Sequence, residues 1–281
     1  MTGRVLDAAS IGLLVPPIVA RAGSATVFAA FERSFYLDLG GPLIAVGDEC
    51  LSDGPLIIRL SGHAITDLRV ETGQHWTATP RRLRRDDGVT IDLTTASIWA
   101  PDLPQIPPSP TRLRRGLNHL LDLLRERSLP EDGLLGLVLN DRQVLNAVER
   151  AALVPIDALR EHLSRRLANG AVDPPPIAGL LGLGPGLTPS GDDLLAGVLI
   201  TCRHLCEDEV ASSLAADIDA AAASATTPIS HAHLVAAAQG YAAAPLHDLL
   251  HEVSTASQRS SRRTLDAIAK IGHSSGFDAI A

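Results

Sequence analysis

Leu181–Ile200 reads LGLGPGLTPSGDDLLAGVLI, and the rest of the chain is best read outward from it. Gly182, Gly184, Gly186 and Gly191 share ten residues with Pro185 and Pro189, and the run ends in a carboxylate pair, Asp192 and Asp193. Glycine opens backbone angles closed to other residues and lets a ligand come close to the main chain. The prolines remove freedom that those glycines would otherwise return. Behind the aspartates lies an almost wholly apolar segment, Leu194–Leu205, which is too apolar for a surface helix. Two starts for that helix fit the sequence. Thr188 caps it with Pro189 at the first helical position, or Ser190 caps it with Asp193 three residues on. Either start turns N–H groups of the first turn toward the Gly-rich loop, where an anion or polarised oxygen is welcome. A tight turn whose aspartates only complement the helix dipole is the plainer alternative. The density of glycines, hydroxyls and carboxylates before a buried helix favours a ligand site. No GK[ST] ending is present, so this is not a phosphate-binding loop of the Walker kind.

The 281 residues suffice for one large domain or two modest ones. They are 46% hydrophobic but only 3% aromatic, so the core must rest on Leu, Val, Ile and Ala. A formal charge of −8 argues against nucleic acid as a partner. The one basic cluster, Arg81–Arg85, runs straight into Asp86 and Asp87 and reads as a solvated turn. Three cysteines in no framework spacing fit a reducing cytoplasm. Cys202, His204 and Cys206 resemble metal spacing, but on a helix His204 points away from the face the cysteines share. Neither a leader peptide nor an apolar run of membrane-spanning length is visible, so a cytoplasmic protein without a membrane partner is expected.

Residues 1–100 read as a β-rich domain. Short runs at Ser24–Ala30, Ser34–Leu39, Leu43–Val46, Leu56–Leu60, Asp67–Glu71 and Val89–Leu93 are punctuated by turn signals, as in a small sandwich or barrel. Asp53-Gly54 and Asp87-Gly88 read as hairpin turns. Ile11–Val19 is apolar but carries two prolines, and its type stays open. Residues 101–110, with five prolines, read as a stiff connector. From 111 to 281 a mainly α-helical domain is expected, built round the buried helix after the Gly-rich loop. Its helices are read at Thr111–Arg127, Leu145–Leu153, Ile156–Leu167, Val210–Ala223, His231–Tyr241, Pro245–Val253 and Ser261–Ile271, with Gly133–Leu139 a strand or a helix start. The fold class is therefore α+β, with a β-rich N-terminal part and a helical C-terminal part.

Three hydroxyl-rich turns can face one pocket: Thr188 with Ser190, Thr226 and Thr227 with Ser230, and Ser274 with Ser275. Asp192, Asp193 and Asp278 give it negative charge. Such a site can hold a divalent cation such as Mg2+, through Asp192 and Asp193, that recruits an anionic substrate. Equally it can bind a small ligand with both an anionic end and an amide. A phosphate without metal fits poorly beside two aspartates. No Ser-His-Asp triad follows from spacing. His247 and His251 lie one helical turn apart, yet Asp248 stands where an HExxH motif needs glutamate, and surface histidines are the plainer account.

At Gly182–Gly197, GLGPGLTPSGDDLLAG, the sequence resembles the bacterial family typified by AllH, one of three proteins assigned to oxamate carbamoyltransferase in anaerobic allantoin (purine) catabolism. Thr226-Thr227-Pro228-Ile229-Ser230 with Leu234 and Gly240, and Ser275-Gly276-Phe277-Asp278, resemble the family pattern in the same order. The resemblance covers the C-terminal hundred residues well and the N-terminal half only in general layout. It implies carbamoyl transfer, oxalurate and phosphate giving oxamate and carbamoyl phosphate, by one subunit of a multi-subunit enzyme. Asp192, Asp193 and Thr188 would then be catalytic. Gly184, Gly186, Ser190, Gly191, Thr227, Ser230, Ser275, Gly276 and Asp278 would bind substrate. Two alternatives stay open: a non-catalytic accessory subunit that assembles partner proteins, and a metal-dependent hydrolase.

Overall fold

A computed structural model describes residues 4–62, 65, 68–102, 109–128, 130–139, 144–169, 173–206, 208–257 and 261–281. The chain divides into two compact units, Met1–Pro101 and Asp102–Ala281. Most of the 101–110 connector lies outside the described residues.

The first unit is a β-barrel. Its strands are β1 (Val5–Gly12), β2 (Ser24–Ala30), β3 (Ser34–Asp38), β4 (Ile44–Gly47), β5 (Ile57–Leu60), β6 (His75–Thr79), β7 (Arg82–Arg85), β8 (Thr90–Asp92) and β9 (Ser97–Trp99). The order is β5-β4-β3-β2-β6-β7-β8-β1-β9, and β5 also pairs with β1. That extra pairing closes eight strands and leaves β9 beside the far half of β1. Along one edge β1 meets β8 in parallel through Val5–Asp7, then β9 in parallel through Ser10–Gly12. Its other edge runs antiparallel to β5, with a register shift between Ala8 and Ser10. Inside, Phe35 stacks on Trp76 at 5.8 Å, among buried Leu37, Ile58, Leu83 and Ile91. Closure removes the open edges that would otherwise invite other strands.

Several readings of this half are corrected. Asp53-Gly54 is no hairpin, because β4 and β5 run parallel, and parallel neighbours need a crossover. Asp53 anchors that crossover instead: its carboxylate accepts from Ser10 Oγ, and from Arg59 Nε at 3.1 Å. Arg81–Arg85 is not a solvated turn. Residues 82–85 form β7, with Leu83 turned inward and Arg82 and Arg84 outward. Asp67 of the strand expected at Asp67–Glu71 lies outside the described residues, and Leu68–Glu71 form no strand, Arg69 standing at φ +45. Ile11–Val19 divides between β1 and a short helix, α1 (Val15–Arg21), whose first turn holds both prolines. Asp87-Gly88 does turn β7 into antiparallel β8, with Gly88 at φ +93.

The second unit is helical: α2 (Pro110–Arg125), α3 (Leu135–Leu139), α4 (Ala147–Asn169), α5 (Ser190–Leu205), α6 (Asp208–Ala222), α7 (Pro228–Ala238), α8 (Ala244–Thr255), α9 (Ser261–Ile268) and α10 (Ser275–Asp278). Helix α5 is the centre, with Leu195 and Leu199 buried among side chains that include Leu214 and Ile218 of α6 and Leu234 of α7. Small residues permit its close contacts: a Cβ on Gly197 would lie 1.9 Å from the Ala279 carbonyl oxygen just past α10. Two helices expected at Leu145–Leu153 and Ile156–Leu167 are one. Pro155 lies inside α4, and its ring packs over Gly179, where a Cβ would stand 2.8 Å away. Asn146 and Glu149 close the start of α4 reciprocally, each side chain accepting from the other's backbone N–H at 2.7 Å. Within Gly133–Leu139 the helix α3 takes Leu135–Leu139, and Gly133 and Leu134 precede it. Among the described residues no helix is long and apolar enough to cross a membrane.

Candidate functional site

The Gly-rich loop is folded back on itself before α5 begins. Gly182, Gly184 and Gly186 stand at φ +71, +115 and +97, where other residues are strained. A Cβ on Gly184 would lie 2.9 Å from Ser190 N, whereas the space beyond Gly186 is open. The N-cap position is Pro189, and no side chain caps the helix. Neither Thr188 nor Ser190 therefore takes the capping role. The Gly191 amide donates to the Leu183 carbonyl at 2.9 Å, which ties the loop to the helix start.

The two adjacent aspartates live in different surroundings. Asp192 is 1% exposed, and both its oxygens are engaged. Oδ1 accepts from the Gly182 amide at 2.9 Å; Oδ2 accepts from Ser230 Oγ at 2.8 Å and from Thr226 Oγ1. Asp192 thus laces the Gly-rich loop to the start of α7. There Thr227 caps α7, its hydroxyl accepting from the Ser230 amide at 3.0 Å and donating to the Leu187 carbonyl. Asp193 has a buried Oδ2 with no hydrogen-bond partner. Burial holds its carboxyl well above the usual carboxylate range; the Ser275 and Thr188 hydroxyls pull it down, while Asp278 and Asp192 push it up.

The third turn arrives from α10. Thr188 Oγ1 and Ser275 Oγ are hydrogen-bonded at 2.8 Å, across 87 residues of sequence. Asp278 is 1% exposed, and its Oδ1 accepts from the Leu134 amide at 2.6 Å. Burial raises its carboxyl, with the Leu134 amide and the Ser190 and Ser274 hydroxyls opposing and Glu149 adding to the rise. Gly276 has a packing position, since a Cβ there would meet the Ile268 carbonyl at 2.2 Å. All three hydroxyl-rich turns therefore meet round the start of α5.

Two contributors were not found by sequence reasoning. Gly133, at φ +110, leaves room for Asp278, since a Cβ there would lie 2.6 Å from Asp278 Oδ1, and Glu149 adds a buried carboxylate. Only Asn146-x-x-Glu149 carried a signal, as a capping pattern. The histidine pair is also corrected. His251 is exposed, but His247 is buried, accepts from the Ala242 amide at 2.9 Å and meets His204 edge-on. Burial lowers His247 to about 4, with His204 adding to the effect, so the ring is neutral at physiological pH.

The turns that meet here are the ones whose order suggested a family. Residues 180–281 match the family of the oxamate carbamoyltransferase subunit AllH. The AllH match takes in α5 to α10 with the Gly-rich loop, and so every one of the three turns. The barrel lies outside it. Leu134 and Glu149, which act on Asp278, also precede the AllH match. No solved structure matches the chain.

Proposed function

We propose that the helical unit is the ligand-holding part of a carbamoyltransferase subunit of the AllH kind, taking oxalurate and phosphate to oxamate and carbamoyl phosphate together with partner subunits in the cytoplasm. The observation that carries the reading is the bond between Thr188 and Ser275, which joins the first and last turns of the family match over a buried, unpartnered carboxyl oxygen. Oxalurate and oxamate present carboxylate and carbonyl oxygens beside amide N–H groups. The hydroxyls of Thr188 and Ser275 can donate to the former and accept from the latter. Asp193, rather than Asp192, is the carboxyl left to orient a carbamoyl nitrogen, because Asp192 is held by three donors. Gly186, with open space on its Cβ side, is where a substrate can approach the backbone. Oxyanion stabilisation at such a site is worth on the order of 3 kcal/mol per donor.

Thermal unfolding with carbamoyl phosphate, oxamate, oxalurate and phosphate, singly and in pairs, tests this. A ligand that binds only the folded chain raises its midpoint. A rise with a carbamoyl ligand that Asp193→Asn abolishes is the expected result. The engagement of the Gly191 amide and of both Asp192 oxygens inside the fold favours a second reading, a non-catalytic accessory subunit. No response to any of the four ligands would select it.

A further inference from the structure

Asp193 Oδ2 and Asp278 Oδ2 are both buried without a hydrogen-bond partner. Neither carboxyl is loosely placed. The Leu134 amide fixes Asp278 through its other oxygen, and Asp278 is 1% exposed. Asp193 lies beside the Thr188 and Ser275 hydroxyls, and the charge of Asp278 disfavours its own. Asp192 and Glu149 add two more carboxylates to the same region. Negative charge at Asp193 and Asp278, buried and facing its like, is costly. It also repels the anionic substrates that the surrounding hydroxyls otherwise suit. A cation answers both difficulties.

Building on the reading of these turns as a ligand site, we propose that Asp193 and Asp278 together hold one divalent cation of the Mg2+ class through their unpartnered oxygens, with Asp192 excluded from its coordination. Asp192 has no free position, since amide and hydroxyl donors occupy both of its oxygens. Among the described residues no three His, Cys, Asp or Glu side chains come together as a metal cluster. That excludes a fully protein-ligated site of the zinc kind there. It suits Mg2+, which keeps several waters and takes one or two carboxylates plus oxygens of its substrate. The hydroxyls of Ser190, Ser274 and Ser275 are hard oxygen groups beside the same two carboxyls. The cation would supply the positive charge that a carboxylate or phosphate substrate needs here.

The test uses the full chain, freed of metal with a chelator, and Mn2+ as the probe, with free Mn2+ read by electron paramagnetic resonance. The expected result is saturable binding of one Mn2+ per chain, competed by Mg2+. Asp193→Asn and Asp278→Asn should each weaken it on the order of tenfold or more. Asp122→Asn, an exposed site on α2, should leave it unchanged. Circular dichroism confirms that each variant is folded. Absence of saturable Mn2+ binding to the wild-type chain overturns the proposal, as does undiminished binding by both folded variants. Mn2+ binding without any response to carbamoyl ligands upholds the cation site and removes the substrate reading. A metal-free response to those ligands, with no Mn2+ bound, does the reverse.

Discussion

Replacing Asp192 should cost stability, and the size of the loss follows from what its carboxylate holds. Three donors converge on it: the Gly182 amide and the Thr226 and Ser230 hydroxyls. In Asp192→Asn the Oδ1 acceptor survives for Gly182. The two hydroxyls can rotate to accept from the new NH2, so the loss is that of charge assistance, about 1–2 kcal/mol. In Asp192→Ala all three donors lose their acceptor, and hydrogen bonds to a charged group are worth about 1.5–3 kcal/mol each. Allowing the hydroxyls to find other partners, a loss of about 3–5 kcal/mol is expected, a large part of a typical total stability. In a unit of this size each kcal/mol moves the midpoint by about 2–4 °C. The alanine variant should therefore melt about 10 °C lower and the asparagine variant about 4 °C lower. Both tryptophans, Trp76 and Trp99, belong to the barrel, so their fluorescence reports that unit. Ellipticity at 222 nm reports the helices and is the signal to follow. An alanine variant that melts within about 1 °C of the parent would refute the brace, and with it the separation of the two aspartates.

Asp193→Asn should behave in the opposite way. A carboxyl raised in the folded state gives its full stability below the ordinary carboxylate range and loses it as pH climbs through the raised value, by up to about 1.4 kcal/mol per pH unit. The isosteric amide removes that loss, so urea midpoints of variant and parent should diverge upward in pH, with the variant the more stable; parallel curves would contradict it. Gly197→Ala places a Cβ 1.9 Å from the Ala279 carbonyl, and overpacking of that kind costs about 1–3 kcal/mol or more. An unchanged 222 nm melt would show that α10 is free to move away.

The sequence made the division into a β-rich part and a helical part legible, along with the strands at Ser24–Ala30 and Ser34–Asp38, which are apolar and tightly punctuated. It hid β1, because VLDAASIG buries small residues, Ala8 and Ser10, that carry little strand signal. Likewise β7 was hidden by arginines that alternate round one buried leucine. Pro155 suggests a break because a helix-interior proline removes a hydrogen bond, yet α4 continues through it with the ring packed over Gly179. At the site, the meeting of three hydroxyl turns could be suspected from composition. The unequal fates of Asp192 and Asp193 could not, since they depend on which of two neighbouring side chains points at Gly182, Thr226 and Ser230. Nothing local marks Gly133 or Leu134 as partners of a residue 144 positions away.

The seam of the barrel has a consequence for the order of events in synthesis. Strand β1 is made first, yet its partners are β5, β8 and β9, the last of which ends at Trp99. A nascent chain must carry one edge of that strand open until β8 and β9 have left the ribosome, and long-range pairings of this sort close slowly. The chemistry of β1 suits the wait. Alanines, a serine and an aspartate make it a poor template for stray strands, and its Ser10 hydroxyl is taken up by Asp53 of the β4–β5 crossover. Weak strand-forming residues at the seam are then a safeguard for the unfinished chain as much as a feature of the finished barrel.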